Sequence, residues 1–417
     1  MIPAVPAAPA SRLAGRFPLL APLADRNFAV FWTGRTISLS GDQFQTVALA
    51  VTALDLTRSA SGLGTVLMVQ AVPRALLMLF GGAATDRFRP RTVMLVSDLL
   101  QSLVVGALAL LAFSGALQFW HLLVYAALSG TVFAFFLPAS NTIVPELVPR
   151  EQVNAANALT TTALNLGLFL VPPVAGLTVA SVGTAPAFAL NAFALLGSVF
   201  TLWRIRLAAP AVRHARTGGP LRQVAVSLAA ARKDLPIWLT LIMAVVYCFG
   251  FQGATFVGLP ALAKLSLRTG DAGVGLLLGA RGIGALIGGI LIGSVAIRRP
   301  GLVGSLVILG LSGALFGGAF APTLALAVPS FAFAGAFGAA VGVIYFTLVQ
   351  TRAPVEHRGG IMALVSLAIF GLSPLAYGLA GVVGAVLSPR GILAFGALCI
   401  GLSGLLGLAF REMRQAT

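Results

Sequence analysis

Long apolar runs recur along this chain and decide what it can fold into. Thr92–Phe113 and Ile361–Leu387 are two of them, each 20 residues or longer. Either is long enough to cross a hydrocarbon core of ~30 Å as a helix. In lipid, backbone polar groups must be satisfied within the segment or in a closed barrel. A barrel would show segments of ~10 residues alternating between apolar and polar, and these runs do not alternate. Only 9% of the 417 residues are charged, against about 25% in a soluble domain. A water-facing surface cannot be built from so few. The chain is therefore expected to be an all-α membrane protein.

Breakers between the runs divide the chain into about twelve spans: 27–54, 59–84, 92–114, 118–142, 156–182, 185–206, 235–263, 270–297, 301–321, 324–350, 359–386 and 389–411. Charge tests this count. With both termini cytoplasmic, 20 basic residues fall on the cytoplasmic side. Only Arg58, Lys264, Arg268 and Arg390 fall outside. That bias is what the positive-inside rule predicts, and one missed span would scramble it. The same sorting explains the net charge of +16. The basic residues are scattered between apolar runs and form no stripe of the kind a nucleic acid would need, so no nucleic-acid partner is expected.

The longest non-apolar stretch, Leu207–Asp234, divides the chain in two. The expected organisation is a cytoplasmic tail (1–26), a six-helix bundle (27–206), a cytoplasmic linker (207–234), a second six-helix bundle (235–411) and a short tail (412–417). A weak internal repeat supports this. Arg87-Phe-Arg-Pro-Arg follows the second span and Ile297-Arg-Arg-Pro-Gly the eighth; Pro149-Arg-Glu-Gln follows the fourth and Pro354-Val-Glu-His-Arg the tenth. Two similar halves joined by a linker are the plan of a large class of secondary transporters. The N-terminal segment lacks a compact apolar region with a cleavage site, so the first span is expected to serve as the insertion signal. Cys248 and Cys399 lie inside apolar runs and read as small buried hydrophobes. His121, His214 and His357 fall at or beyond span ends without metal spacing, so no metal is expected.

The loop after the second span reads Gly82-Ala-Ala-Thr-Asp86-Arg87-Phe88-Arg89-Pro90-Arg91. It resembles the signature G-x-x-x-D-R-x-G-R-R of the major facilitator superfamily, with Arg89 and Pro90 replacing a Gly and an Arg. Further stretches carry the resemblance to its exporter branch, which includes macrolide-efflux and enterobactin-export proteins. These are Asn27-Phe-Ala-Val-Phe-Trp-Thr-Gly-Arg leading into Ser40-Gly-Asp42, Pro138-Ala-Ser-Asn through Pro145-Glu-Leu-Val-Pro-Arg-Glu-Gln-Val-Asn-Ala-Ala-Asn157, and Arg358-Gly-Gly-Ile-Met-Ala-Leu. In the fifth span, Gly167, Pro172 and Gly176 match the antiporter pattern G-x-x-x-G-P-x-x-G-G, while Val171 and Ala175 depart from it. That segment is either a bend favouring antiport or generic packing of small residues. The resemblance implies two pseudo-symmetric bundles. It also implies a cytoplasmic charge network of Asp86, Arg87, Arg91 and Asp98, matched by Glu146 with Arg150 and Glu356 with Arg358, that locks that side in one state.

A charge within the bilayer is expensive and needs a reason. Asp42 lies mid-span, where a carboxyl that gains and loses a proton as water access alternates would couple transport to a gradient. Alternatively it is a structural ion pair with Arg35, about 10 Å away along the helix axis, or with Arg74. Arg281 has no acidic sequence neighbour; it either attracts an anion or helps expel a proton, or it is held by carbonyls. Gln252, Asn165, Gln70 and Gln101 are neutral polar groups of the spans, serving as helix glue or as substrate contacts. Phe133, Phe135, Phe136, Phe249, Phe251, Phe256, Phe331 and Phe333 either pack helices or line a cavity suited to bulky apolar or cationic compounds.

No phosphate loop, H-E-x-x-H or G-x-S-x-G elbow is present, so no enzyme activity and no cofactor are expected. A proton gradient is the expected energy source, worth ~2.3 kcal/mol per charge per 100 mV. The expected function is proton-coupled efflux of small amphipathic molecules by a monomer in a bacterial inner (plasma) membrane. A siderophore exporter, a lipid flippase or a non-transporting sensor of the same fold are the alternatives.

Overall fold

The computed structural model describes residues 18–205, 220–295, 297–354 and 356–416. Most of the expected N-terminal tail and the first part of the linker lie outside them. Twelve long helices occupy the expected spans: α1 Arg26–Thr57, α2 Ala60–Arg87, α3 Pro90–Phe113, α4 Phe119–Leu147, α5 Val153–Val182, α6 Thr184–Arg204, α7 Leu235–Ser266, α8 Gly270–Gly293, α9 Pro300–Phe320, α10 Leu324–Arg352, α11 Arg358–Leu387 and α12 Pro389–Ala409. Among the described residues, eleven helices are long and apolar enough to cross a membrane. The exception, α1, has its apolar run interrupted by Arg35, Asp42 and several polar side chains, yet it packs in the bundle like the rest.

Local chemistry sets the helix ends. The Asp25 carboxylate accepts from the Asn27 and Phe28 amides at 2.8 and 3.1 Å, capping α1, and Asp234 caps α7 through the Ile237 amide at 3.1 Å. Pro90, Pro300 and Pro389 open α3, α9 and α12, where a missing N–H costs nothing. The linker carries a helix of its own, Pro220–Ala231. Leu228 and Ala231 seat it on Ile237, Val349 and Ile361 of the second half.

Helix pairing repeats between the halves. In the first, α1 packs on α5 and α6, α2 on α4, and α3 on α4 and α6. In the second, α7 packs on α11 and α12, α8 on α10, and α9 on α10 and α12. The halves meet along two seams, α2 against α11 and α5 against α8. Both close at the end far from the linker. There, Gly64 faces Gly381 and Gly176 faces Gly275; a Cβ on Gly176 would lie 2.6 Å from the Gly275 Cα. Small residues let backbones approach this closely.

Apolar packing shows what happens at the other end. At the far end one core runs through both halves, including Leu63 and Val179 from the first and Val274 and Ala380 from the second. At the linker end the core divides. One part holds Phe28, Met94, Ile143 and Leu202 of the first half, the other Ile237, Val349 and Ile361 of the second. The molecule is thus joined at the far end and cleft at the linker end.

Candidate functional site

Helix α5 shows how the cleft is lined. Asn154, Asn157, Thr161 and Asn165 are exposed on its linker-end half. Their spacing of three and four residues puts them on one face. Continued upward, that face carries Pro172 and Gly176, which pack on Gly275 of α8. The face buried in the seam at the far end is therefore polar and open at the linker end, as a water-filled cleft requires. Helix α5 stays helical through Pro172 and Pro173. Of the matched residues, Pro172 and Gly176 lie in the seam, with Pro173 beside Gly279, whereas Gly167 lies within its own half near Leu39.

The first half buries an ionic cluster beside the cleft. Arg35 lies in electrostatic range of both Asp42 and Asp98. Asp98 is 3% exposed and accepts a 2.6 Å hydrogen bond from Ser198 Oγ. It turns inward to Arg35, where the family pattern placed it in the loop network, because its position two turns into α3 faces α6 and α1. Asn191 of α6 lies beside Asp42 and donates to Gln45 Oε1. Gln45 Nε2 donates in turn to the Tyr125 hydroxyl, and Tyr125 to Ser129 Oγ at 3.2 Å. Gln70 and Gln101 donate to the same Ser129 at 3.2 and 2.9 Å. Five helices are thereby tied through one buried polar chain that starts at Asn191, beside Asp42. Gln45, Tyr125, Ser129 and Asn191 went unread in the sequence, since nothing there marks which polar side chains face inward.

Each intramembrane arginine lies over a phenylalanine ring: Arg35 over Phe136 at 4.8 Å, Arg74 over Phe133 at 4.2 Å and Arg281 over Phe251 at 5.1 Å. Arg74 faces Tyr377 of α11 instead of Asp42. In the second half a cavity of about 290 Å3 is lined by Tyr247, Phe251, Gln252, Arg281, Tyr345 and Phe370 among others. Its wall includes Ile369 and Phe370 of a π-helical turn, Leu367–Gly371 in α11, and a second such turn, Ala254–Gly258, follows the lining residues Phe251 and Gln252 in α7. Such turns interrupt the regular hydrogen-bond ladder, often at functional sites. The Gln252 amide and the Cys248 thiol both donate to the Ile369 carbonyl inside the α11 turn, at 3.3 and 3.1 Å.

At the linker end a Cβ on Gly82 would meet nothing within 4 Å, and the Asp86 side chain lies outside the described residues. Arg87 rests on Phe88 at 5.8 Å. Arg91 donates to the carbonyls of Leu202 and Trp203, both at 2.7 Å, tying α3 to the end of α6. Glu146, Arg150, Glu356 and Arg358 are exposed. An ion pair at this end joins Arg352 to Asp234 at 3.0 Å within the second half. At the far end a triad crosses the seam: Lys264 of α7 lies 2.6 Å from Asp55 of α1 and 2.5 Å from Asp271 of α8.

Comparison with known proteins decides the family. The sequence pattern of the transmembrane secretion effectors matches residues 18–416. The chain belongs to this family, within the major facilitator superfamily. It is a multi-pass membrane transporter and not an enzyme. Among its relatives, the multidrug efflux pump Tap of Mycolicibacterium fortuitum is 27% identical over 365 residues, covering 82% of this chain and 85% of that protein. Macrolide efflux protein A of Streptococcus pyogenes is 22% identical over 269 residues, covering 61% and 66%. Among solved structures, the nucleoside transporter NupG superposes with a TM-score of 0.75 at 12% identity, covering 93% of this chain and 100% of that one. That similarity is one of fold.

Proposed function

We propose that this transporter exports small amphipathic compounds in exchange for protons, by alternating access. The face of α5 carries the reading: buried against α8 at one end, it is polar and open at the other. A scaffold or sensor would need no such cleft. With the linker end cytoplasmic, as the charge bias indicates, the cleft opens to the cytoplasm and closes outside, the state that loads cargo for export. The Tap and macrolide relatives, named for efflux, support this direction. The protein works as a monomer in the bacterial inner membrane.

Proton coupling falls to Asp42, with Asp98 beside it. Two carboxylates share one guanidinium, so a single proton makes the cluster neutral. Taking up that proton from outside and releasing it inside moves one charge down the membrane potential, worth ~2.3 kcal/mol per 100 mV. Reconstitution into liposomes holding an internal pH dye tests this, with a panel of cationic drugs, macrolides and a catecholate siderophore. Compound-dependent proton movement is expected, and Asp42→Asn should abolish it while the protein still inserts. Wild-type flux by that variant would refute the proton role. Silence across the panel from folded protein would favour a lipid cargo.

A further inference from the structure

Charge is divided unequally between the halves. The first half gives its buried Arg35 two carboxylates, Asp42 and Asp98. Among the described residues the second half gives Arg281 none. Among the described residues its neighbours are the Phe251 ring and the hydroxyls of Tyr247 and Tyr377. Arg281 is also the single charged residue among those lining the cavity, whose walls are otherwise aromatic, aliphatic or glycine apart from a few neutral polar groups. Of those groups, Gln252 is committed to the Ile369 carbonyl. Arg74, from the opposite wall of the cleft, lies in electrostatic range of the same Tyr377. Two guanidinium groups, one from each half, thus lie in electrostatic range of one tyrosine, and among the described residues no carboxylate accompanies them.

A guanidinium withdrawn from water without a counter-ion is unfavourable, and stacking on a ring recovers only part of the loss. What would complete the site is an anion. Arg suits this, since it stays charged and its planar fork matches a carboxylate with two parallel hydrogen bonds. We propose that the second-half cavity takes an amphipathic anion, its aromatic body held by Tyr247, Phe251 and Phe370 and its carboxylate or other monoanionic group held by Arg281. This rests on the cavity being the cargo site, and it narrows the cargo from amphipathic compounds in general to acidic ones. The first half then handles the proton and the second the cargo.

The test uses the full chain in lipid nanodiscs at equal pH on both sides, with empty nanodiscs as the blank. Dansylglycine and its uncharged twin dansylglycinamide are titrated, and binding is read as energy transfer from the protein's tryptophans. Wild-type protein should prefer the acid by about tenfold or more, the scale of one charge-assisted hydrogen-bonded contact. Arg281→Gln should erase the preference by weakening dansylglycine far more than dansylglycinamide, whose remaining binding also shows the variant is folded. Arg281→Lys should restore part of it. Equal affinities in the wild type, or a preference that survives Arg281→Gln, overturn the proposal. Wild-type protein that takes neither probe overturns the cavity as the cargo site, and the anion preference with it. Should Arg281→Gln not fold, the wild-type ratio decides alone. No gradient is imposed, so a failure of proton coupling leaves these affinities untouched and the two readings fail separately.

Discussion

Replacing Asp55 by Asn should loosen the far-end seam by a calculable amount. Lys264 bridges Asp55 and Asp271 at 2.6 and 2.5 Å. Lys264 and Asp271 sit on adjacent helices of one half, so their contact persists when the halves rock apart. The Asp55 contact crosses the seam and must break. Asp55 is 43% exposed against 12% for Lys264, so the pair is screened and belongs near the upper end of surface ion pairs, about 0.5–1 kcal/mol. Because that contact exists only in the far-end-closed state, its loss should raise the population of the other state about two- to fivefold. The assay is electron-spin distance measurement between labels at Ser114→Cys and Pro322→Cys, in far-end loops of opposite halves, in a background without the natural cysteines. The long-distance population should grow by that factor, and the difference should shrink in 1 M salt, where the screening length falls to about 3 Å. Lys264→Ala should shift it further, since Asp55 and Asp271 then face each other across the seam. An unchanged or reduced long-distance population in Asp55→Asn would refute the reasoning.

Other outcomes follow from the same geometry. Gly176→Val should force the far-end seam open, because its Cβ would meet the Gly275 Cα at 2.6 Å, whereas Gly82→Ala, with nothing within 4 Å, should be sterically neutral; the same label pair reads both. Gln45→Leu strands Asn191 and Tyr125 in the polar chain and should cost about 1–3 kcal/mol, seen as a lower melting temperature in detergent. Asp98→Asn keeps a partner for Ser198 but removes one of the two charges facing Arg35. It should lower compound-driven proton flux in proteoliposomes without lowering the melting temperature, and wild-type flux would make Asp98 purely structural.

The sequence by itself determined the fold class, the twelve spans and the two halves. Those rest on the length and sign of hydrophobic and charged segments, which the bilayer reads one segment at a time. It also flagged Asp42, Arg35, Arg74 and Arg281, because any charge within a span is conspicuous. Pairing was decided only in the tertiary structure. Asp98 turns to Arg35 and away from the loop charges, Arg74 to Tyr377 and away from Asp42, and Asp55 to Lys264, 209 residues away in the chain. Neutral polar residues such as Gln45 and Asn191 could not be sorted from glue, since on a helix surrounded by helices and lipid the hydrophobic pattern is nearly uniform. Which face of α5 meets α8 and which meets water, and that Arg281 stands in a cavity without a carboxylate, follow from how helices distant in sequence are set against one another, because contact energies act across space and leave no local trace along the chain.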